Sequence, residues 1–189
     1  MARAVLSNWS EGRYCEIIFI DLTHKFDVMH FANHHLRHII LTQNDEIVLT
    51  PEEENAAVQK SLESITLLNC HSLEQFEIAF TELEDLIWHN NNIGLLVIDG
   101  LERFYWEDCH QRLQRMSTYY KKWVTKLQQI CQEHNLSCCF TVESSHLKTK
   151  AEVIIDYELK ISKKDANGLS KLNNRIFFTD ENGINFVDE

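Results

Sequence analysis

Glycine is scarce in this sequence, and its scarcity limits what the chain can bind. Five glycines occur among 189 residues, where an average usage of roughly 7% would give about thirteen. A Walker A phosphate loop needs two glycines five positions apart, followed by lysine and serine or threonine, and the dinucleotide fingerprint needs three glycines in six positions. The closest pair, Gly94 and Gly100, is six positions apart and is followed by leucine and glutamate. The sequence therefore contains no glycine-rich phosphate cradle.

Basic residues are also in deficit. The chain has 18 lysines and arginines against 29 acidic residues, a net charge of −11. Its densest basic stretches, 112–126 and 160–171, hold five and four positive charges. Because proteins bind nucleic acid largely by displacing counterions from phosphates with basic side chains, this composition predicts weak and salt-sensitive DNA binding by the chain alone.

The six cysteines form no C-x-x-C pair and no paired zinc spacing, and most lie in apolar runs. They are interpreted as small buried side chains in a reducing compartment. The first nine residues lack the apolar core of a signal peptide, and no run approaches the roughly 20 apolar residues of a membrane span. A soluble intracellular protein is expected, with no membrane partner.

The apolar periodicity alternates between the two kinds of secondary structure. Short apolar runs predict strands at 15–21, 65–70, 93–99 and 136–142, with further strand-like alternation at 153–162, 174–179 and 184–187. Spacings of three and four predict helices at 26–40, 73–87 and about 110–134. A further helix should begin at Thr50 and Pro51, the only proline, because a capping hydroxyl precedes proline and three glutamates.

Strands that alternate with helices indicate βαβ units. We therefore predict one α/β domain over residues 1–189, with a largely parallel sheet and helices on both faces. A turn at 180–183 should close a C-terminal hairpin that adds antiparallel strands to the sheet edge.

Polar side chains follow three of the predicted strands, where ligands of open α/β sheets collect. They are Asp21, Asp99 and the stretch 141–143. Four apolar residues before Asp99 form the Walker B pattern, in which the carboxylate acts on Mg²⁺ bound to a nucleotide. The alternative is that Asp99 caps its strand without a ligand, because the other ligands of Mg²⁺ would come from phosphates held by the absent loop.

His30, His34 and His38 recur every four residues on a predicted helix, and such pairs can bind zinc. No glutamate lies between them as in the H-E-x-x-H motif, which excludes the hydrolytic chemistry of that motif. A partly exposed helix face without metal is the favoured interpretation. An unrelated α/β protein with a histidine metal site is the alternative.

Three consecutive aromatic residues, Phe104, Tyr105 and Trp106, follow Asp99 closely. They cannot all point inward from one helix or strand, so at least one ring should be exposed or packed on a partner. Core packing and a partner surface both remain open.

Taken together, three segments resemble the RecA-type recombinase paralogues. They are Phe-Ile-Asp21 with Phe26-Asp27, the run Leu-Leu-Val-Ile-Asp99-Gly-Leu-Glu-Arg-Phe-Tyr-Trp, and the terminal strand ending Glu-Asn-Gly183-Ile-Asn-Phe186. The resemblance implies a RecA-like core and a nuclear role in homologous-recombination repair of DNA breaks. The implied partners are the D-type recombinase paralogue, other paralogues in a complex and, through that complex, single-stranded or branched DNA.

The resemblance also assigns roles to single residues. Asp99 matches the Walker B carboxylate, and Thr141 and Glu143 match the strand end that senses the γ-phosphate. Where the family usually has a catalytic glutamate, this chain has Thr23. The strand and loop that bind phosphate in the family are also absent from the sequence. Such a sequence is expected of a shortened isoform, an incomplete gene model or a variant completed by a partner. A non-catalytic subunit is therefore predicted, with Phe104, Tyr105 and Trp106 as partner contacts. The alternative is a Mg²⁺-dependent, DNA-stimulated ATPase with ATP as cofactor, whose loop comes from upstream sequence or a partner.

Overall fold

Four parallel strands form the central sheet. A computed structural model describes residues 1–5, 14–42, 49–143, 153–180 and 183–187. The strands are β1 (Glu16–Asp21), β2 (Ile65–Asn69), β3 (Ile93–Asp99) and β4 (Ser137–Phe140), in the order β2-β1-β3-β4. All four were predicted, because each is a short apolar run. β1 is buried between two layers of helices, and β3 is buried at alternate positions.

Helices cover both faces of this sheet, as predicted. Those described are α1 (Ala2–Val5), α2 (Val28–His30), a π-helical segment (Phe31–Leu36), α3 (Arg37–Thr42), α4 (Pro51–Glu63), α5 (Leu73–His89), α6 (Tyr105–Arg112) and α7 (Met116–His134). Side chains alternate along β1, so Ile18 and Ile20 pack in the core with α5, α6 and α7. Ile17 packs on the opposite face with α1, the π-helical segment, α3 and α4.

The start of α4 follows the predicted capping pattern. The Thr50 hydroxyl accepts a hydrogen bond from the Glu53 backbone N–H, and the Glu53 carboxylate accepts one from the Thr50 N–H at 2.9 Å. This reciprocal capping box satisfies two N–H groups that the first turn leaves without helical partners. Pro51 at the first helical position has no N–H to satisfy.

The prediction of one helix over 110–134 is wrong. Leu113 adopts a left-handed conformation (φ 50°) that ends α6, and α7 begins three residues later, at Met116. The side chain of Leu113 is 90% exposed instead of lying on the apolar face. Nearby, the fully buried Asp108 accepts a hydrogen bond from Gln114 and lies 3.3 Å from the Arg112 Nε, which fixes the chain between the two helices.

A second, separate sheet is formed by the C-terminal strands. It contains β5 (Ser170–Leu172), β6 (Arg175–Asp180) and β7 (Gly183–Phe186) in antiparallel order. The strands predicted at 174–179 and 184–187 are confirmed, and part of the predicted turn, 181–182, lies outside the described residues. The prediction that the hairpin adds edge strands to the parallel sheet is wrong, because the two sheets are separate. The α/β class is the predicted one.

The strand predicted at 153–162 is not formed. Within the described part of this stretch, the only β-pairing is a single bridge between Ile161 and Leu172. The alternating pattern is present, but a strand also needs a neighbour that accepts its backbone hydrogen bonds. Lys160 and Ser162 hydrogen-bond to Asn173 and Lys171, whereas no described strand pairs with residues 153–159.

Candidate functional site at the carboxyl ends of the strands

Three polar residues meet where neighbouring strands end. Asp21 and Asp99 are the last residues of β1 and β3 and are direct partners in the parallel register. Thr141 follows β4 immediately, and its backbone N–H donates to the carbonyl of Ile98 at 3.0 Å. Because parallel strands end at the same edge of the sheet, the topology brings these side chains together.

Two threonine hydroxyls engage both oxygens of the Asp99 carboxylate. Thr141 donates to Oδ1 at 2.6 Å, and Thr23, from the loop after β1, donates to Oδ2 at 2.6 Å. The Thr141 hydroxyl in turn accepts the backbone N–H of Gly100 at 2.8 Å. Hydrogen bonds to a charged acceptor are short and strong, so Asp99, Thr23 and Thr141 form one connected unit.

Asp21 organises the loop that carries Thr23. Its carboxylate accepts the backbone N–H groups of Thr23, His24 and Phe26 at 2.9, 2.7 and 3.1 Å. Burial by itself would raise the pKa of Asp21, but these hydrogen bonds stabilise the charged form and bring its pKa below the usual range. Asp21 is therefore a structural carboxylate, which fixes the position of Thr23 next to Asp99.

Gly100 is required by the close approach of the same loop. It has a positive φ of 81°, and a Cβ placed on it would lie 2.4 Å from the Cγ2 of Thr23. A side chain at this position would therefore strain the backbone and displace Thr23 from Asp99.

The structure unites two of the three predicted nucleotide-site residues, Asp99 and Thr141. Glu143 lies two residues further along and is exposed. Sequence reasoning noted Asp21 and Thr23 but missed their hydrogen bonds within the site. An Asp followed two residues later by Thr, directly after a buried strand, is the local signal, since both side chains form turns with nearby backbone.

The hydroxyls of Thr23 and Thr141 surround the carboxylate of Asp99. Carboxylate and hydroxyl oxygens are of the type that Mg²⁺ prefers. Each oxygen of Asp99 accepts one hydroxyl proton at 2.6 Å and keeps a second lone pair, so a metal bound there would share the carboxylate with both threonines. Among the described residues, no group of three or more His, Cys, Asp or Glu side chains is placed to bind a metal ion.

On the predicted histidine face, the ring of His30 contacts two other histidine rings. The His30 ring centroid lies 4.4 Å from that of His34 and 5.6 Å from that of His35. A π-helical segment has more residues per turn than an α-helix, so the side chains four and five positions on both approach His30. Burial and the charges of the neighbouring histidines lower the pKa of His35.

The aromatic triplet divides between the core and the surface. Phe104 and Tyr105 are buried, at 7% and 9% exposure, whereas Trp106 is 60% exposed. Tyr105 donates its hydroxyl to the carbonyl of Gln114 at 3.3 Å. The prediction that the three rings cannot all point inward is confirmed. Of the three rings, only that of Trp106 is exposed enough to contact a partner.

In the part of the chain that the structure describes, no helix combines the length and the hydropathy that a bilayer crossing requires.

Comparison with known proteins shows a distant relationship. No protein-family model matches the sequence. The chain is similar to the DNA repair protein XRCC2 of Mus musculus, with 26% identity over 137 residues. The match covers 64% of this chain and 45% of that protein, so the chain spans less than half the length of this relative. The similarity confirms the predicted resemblance to the RecA-type recombinase paralogues as a distant one, and the α/β fold agrees with it.

Proposed function

We propose that this protein is a non-catalytic subunit that supports homologous-recombination repair of DNA breaks through contacts with other proteins. The similarity to a DNA repair protein supports the biological role. The observation that carries the non-catalytic assignment is Thr23, which lies 2.6 Å from Asp99 where the resemblance expects a catalytic glutamate. A threonine hydroxyl is already protonated at neutral pH, so it cannot activate water as a general base.

Trp106 supplies the contact surface in this proposal. Its ring is exposed, and it packs against the buried Tyr105 with centroids 5.0 Å apart. Tyr105 in turn packs against Tyr119 of α7, so a rigid base supports the exposed indole. Exposed tryptophans on rigid supports are frequent anchors of protein interfaces.

The partners follow from the same resemblance. We propose the D-type recombinase paralogue as the direct partner, with other paralogues in the complex and single-stranded or branched DNA bound through it. The net charge of −11 favours DNA contact by the assembly over contact by this chain alone. Residues 1–189 would act as one RecA-like core domain in the nucleus.

Co-expression with the D-type paralogue tests this proposal. The two chains should co-purify, and Trp106→Ala should weaken the complex by about 2 kcal/mol, or roughly thirtyfold in Kd, as expected for an interface anchor. Trp88→Ala is the matched control, because Trp88 is 73% exposed but lies on α5. Failure to co-purify, or equal affinity of the Trp106→Ala and wild-type proteins, would show that the proposed interface is wrong.

The second candidate is a Mg²⁺-dependent, DNA-stimulated ATPase. It is favoured by one observation, the pairing of Asp99 with Thr141 at the ends of adjacent strands. Its test is ATP hydrolysis by the purified chain and by the chain with its partner, in the presence of single-stranded DNA. Hydrolysis that is lost in Asp99→Asn but retained in Asp85→Asn, an exposed position on α5, would favour this candidate over the first.

A further inference from the structure

Three exposed side chains follow one another along the outer side of α6. Trp106, His110 and Leu113 recur at intervals of four and three residues, the spacing of one helical face, and together they are called the α6 stripe. The backbone N–H of Leu113 still donates to the carbonyl of Cys109 at 2.8 Å, so Leu113 lies on the helix, about 10 Å from Trp106 along its axis. The Nδ1 atom of His110 lies 2.5 Å from the carbonyl of Trp106, which places the imidazole between the two larger apolar residues.

Leu113 is the least expected member of the α6 stripe. Its backbone has φ 50° and ψ 40°, a left-handed conformation that glycine adopts without strain and leucine does not. Its side chain is 90% exposed, so the folded chain by itself gains nothing from leucine at this position. Strained residues cluster at functional sites, and this one presents a large apolar side chain next to the exposed indole of Trp106.

The buried side of α6 holds the stripe in place. Tyr105 packs against Tyr119 of α7, with ring centroids 5.7 Å apart. The fully buried carboxylate of Asp108 lies 3.7 Å from the ammonium group of Lys122, also on α7. A partner would therefore contact a surface that is already ordered, which lowers the entropic cost of binding.

Two arginines flank the α6 stripe, one at each end. Arg103 precedes Trp106 by three residues, Arg115 follows Leu113 by two, and both arginines are exposed. None of the described residues forms an ion pair with either of them. Arginine and tryptophan are the side chains most enriched among the anchors of protein interfaces.

The acidic side chains of the same region are engaged within the chain. The Glu107 carboxylate accepts the backbone N–H of Leu73 at 3.1 Å. Asp108 is buried beside Arg112, and Glu102 is half-buried. The charges that remain unpaired at the two ends of the stripe are therefore positive, although the whole chain has a net charge of −11.

The form of the surface selects a helix as its partner. The backbone of α6 is hydrogen-bonded within the helix, so the surface offers side chains and no strand edge. A second helix can place apolar residues at intervals of three and four against such a stripe. Because the flanking charges are positive, carboxylates on that helix would be attracted and a basic segment would be repelled.

We propose that the α6 stripe and its two arginines bind an acidic amphipathic helix of the partner protein. The apolar side chains of that helix would pack between Trp106 and Leu113, and its carboxylates would pair with Arg103 and Arg115. This binding mode rests on the proposed function, because it extends the contact made by Trp106 and states which kind of segment the partner supplies. A second copy of this chain is disfavoured as the partner, since two chains of net charge −11 repel each other.

Photo-cross-linking in the co-expressed complex with the D-type recombinase paralogue tests the proposal. Leu113→p-benzoylphenylalanine should cross-link to one segment of the paralogue in which acidic residues accompany apolar residues at helical spacing. The same replacement of Ile184, which is 58% exposed on β7, should give no cross-link to that segment. A cross-link from position 113 to a basic segment, to added single-stranded DNA or to a second copy of this chain would overturn the proposal.

Leu113→Gly separates the stability of the chain from binding. It should raise the urea midpoint of the isolated chain, because the strain is removed, and weaken the complex about tenfold in Kd, because the contact is lost. Asn135→Gly is the matched control at the equivalent left-handed position after α7, and it should leave the affinity unchanged. A Leu113→Gly chain that binds as tightly as wild type would contradict the proposal.

The charges are tested by reversal. Arg103→Glu and Arg115→Glu should each weaken the complex about tenfold at low salt, and the effect should shrink as the salt concentration rises. Lys164→Glu makes the same change at an exposed position away from α6 and should have little effect. Equal losses in all three variants would show that overall charge, not the flanking arginines, governs binding.

Two outcomes distinguish this proposal from the proposed function. If the two chains do not co-purify, both are wrong. If they co-purify and Trp106→Ala weakens the complex, whereas Leu113→Gly and Arg115→Glu do not, the proposed function stands and only the acidic helix is wrong.

Discussion

At the scale of single residues, the candidate site depends on how Asp21 and Asp99 differ. Asp21 is 2% exposed and binds backbone N–H groups of its own loop. Asp99 binds side-chain hydroxyls from two neighbouring segments. The first carboxylate fixes a loop and the second joins that loop to β4, so substitutions at the two positions should have different consequences.

Asp21→Asn should reduce stability in a pH-dependent manner. An amide has one oxygen in place of two charged ones, so the free energy of unfolding at pH 7 should fall by about 2 kcal/mol. The pKa of Asp21 is lower in the folded chain than its usual value. Its contribution is therefore present above about pH 4, the pKa of an unperturbed Asp, and is lost as the pH falls through the folded-state pKa. Urea denaturation across this range should show the difference between variant and wild type shrinking towards low pH.

Asp27→Asn is the control for that measurement. Asp27 caps α2 by accepting the His30 N–H at 2.9 Å, and asparagine caps a helix about as well as aspartate. A loss of stability in this variant equal to that in Asp21→Asn would contradict the role given to Asp21.

Gly100→Ala should destabilise the chain more than Gly168→Ala. Both glycines have positive φ, 81° and 77°, so each alanine has a backbone strain of about 1 kcal/mol. A Cβ on Gly100 would also contact the side chain of Thr23. A Cβ on Gly168 would have no described heavy atom within 4 Å other than those of its neighbours in the chain. Thermal unfolding of the two variants measures the difference, and equal losses would show that Thr23 moves aside without cost.

At the scale of elements, the junction between α6 and α7 is held by a residue in an unfavourable conformation. Leu113 has a left-handed backbone conformation, in which its β-carbon crowds the backbone. Its side chain is 90% exposed, so no burial offsets this strain. Leu113→Gly should therefore stabilise the chain by about 1 kcal/mol, measured by chemical denaturation. Asn135→Gly, at the equivalent position after α7, should have a smaller effect, because asparagine tolerates this conformation.

The elements also show what the sequence can predict. β1 and β3 are apolar runs, and α4 begins with a local capping pattern. Each of these three elements can therefore be predicted from residues that are close together in the sequence. The break at Leu113 accompanies contacts of the buried Asp108 with Arg112, Gln114 and Lys122, which apolar spacing does not reveal. Residues 153–162 have a strand pattern, but no described strand pairs with them before Lys160. At the candidate site, the sequence singled out Asp99 and Thr141. The hydrogen bonds of Thr23 and Asp21 depend on the order of the strands, which the sequence does not reveal.

At the scale of the whole molecule, charge sets the interaction with DNA. With a net charge of −11, the isolated chain should bind single-stranded DNA weakly, and binding should fall steeply between about 50 and 200 mM salt. Fluorescence anisotropy with a labelled oligonucleotide measures this. Tight binding by the isolated chain that persists at high salt would mean that DNA recognition does not require an assembly.

The strand order of the parallel sheet has a consequence for synthesis. β1 lies between β2 and β3, but it leaves the ribosome before either of them. Ile17 pairs with Ile65 and Ile20 with Ile98, so the first neighbour follows roughly fifty residues later and the second nearly eighty. At about 5–20 residues per second, this apolar strand waits for several seconds before both edges are paired. During that interval the nascent chain exposes Ile17, Ile18 and Ile20, and chaperones that bind short apolar segments would find their target there.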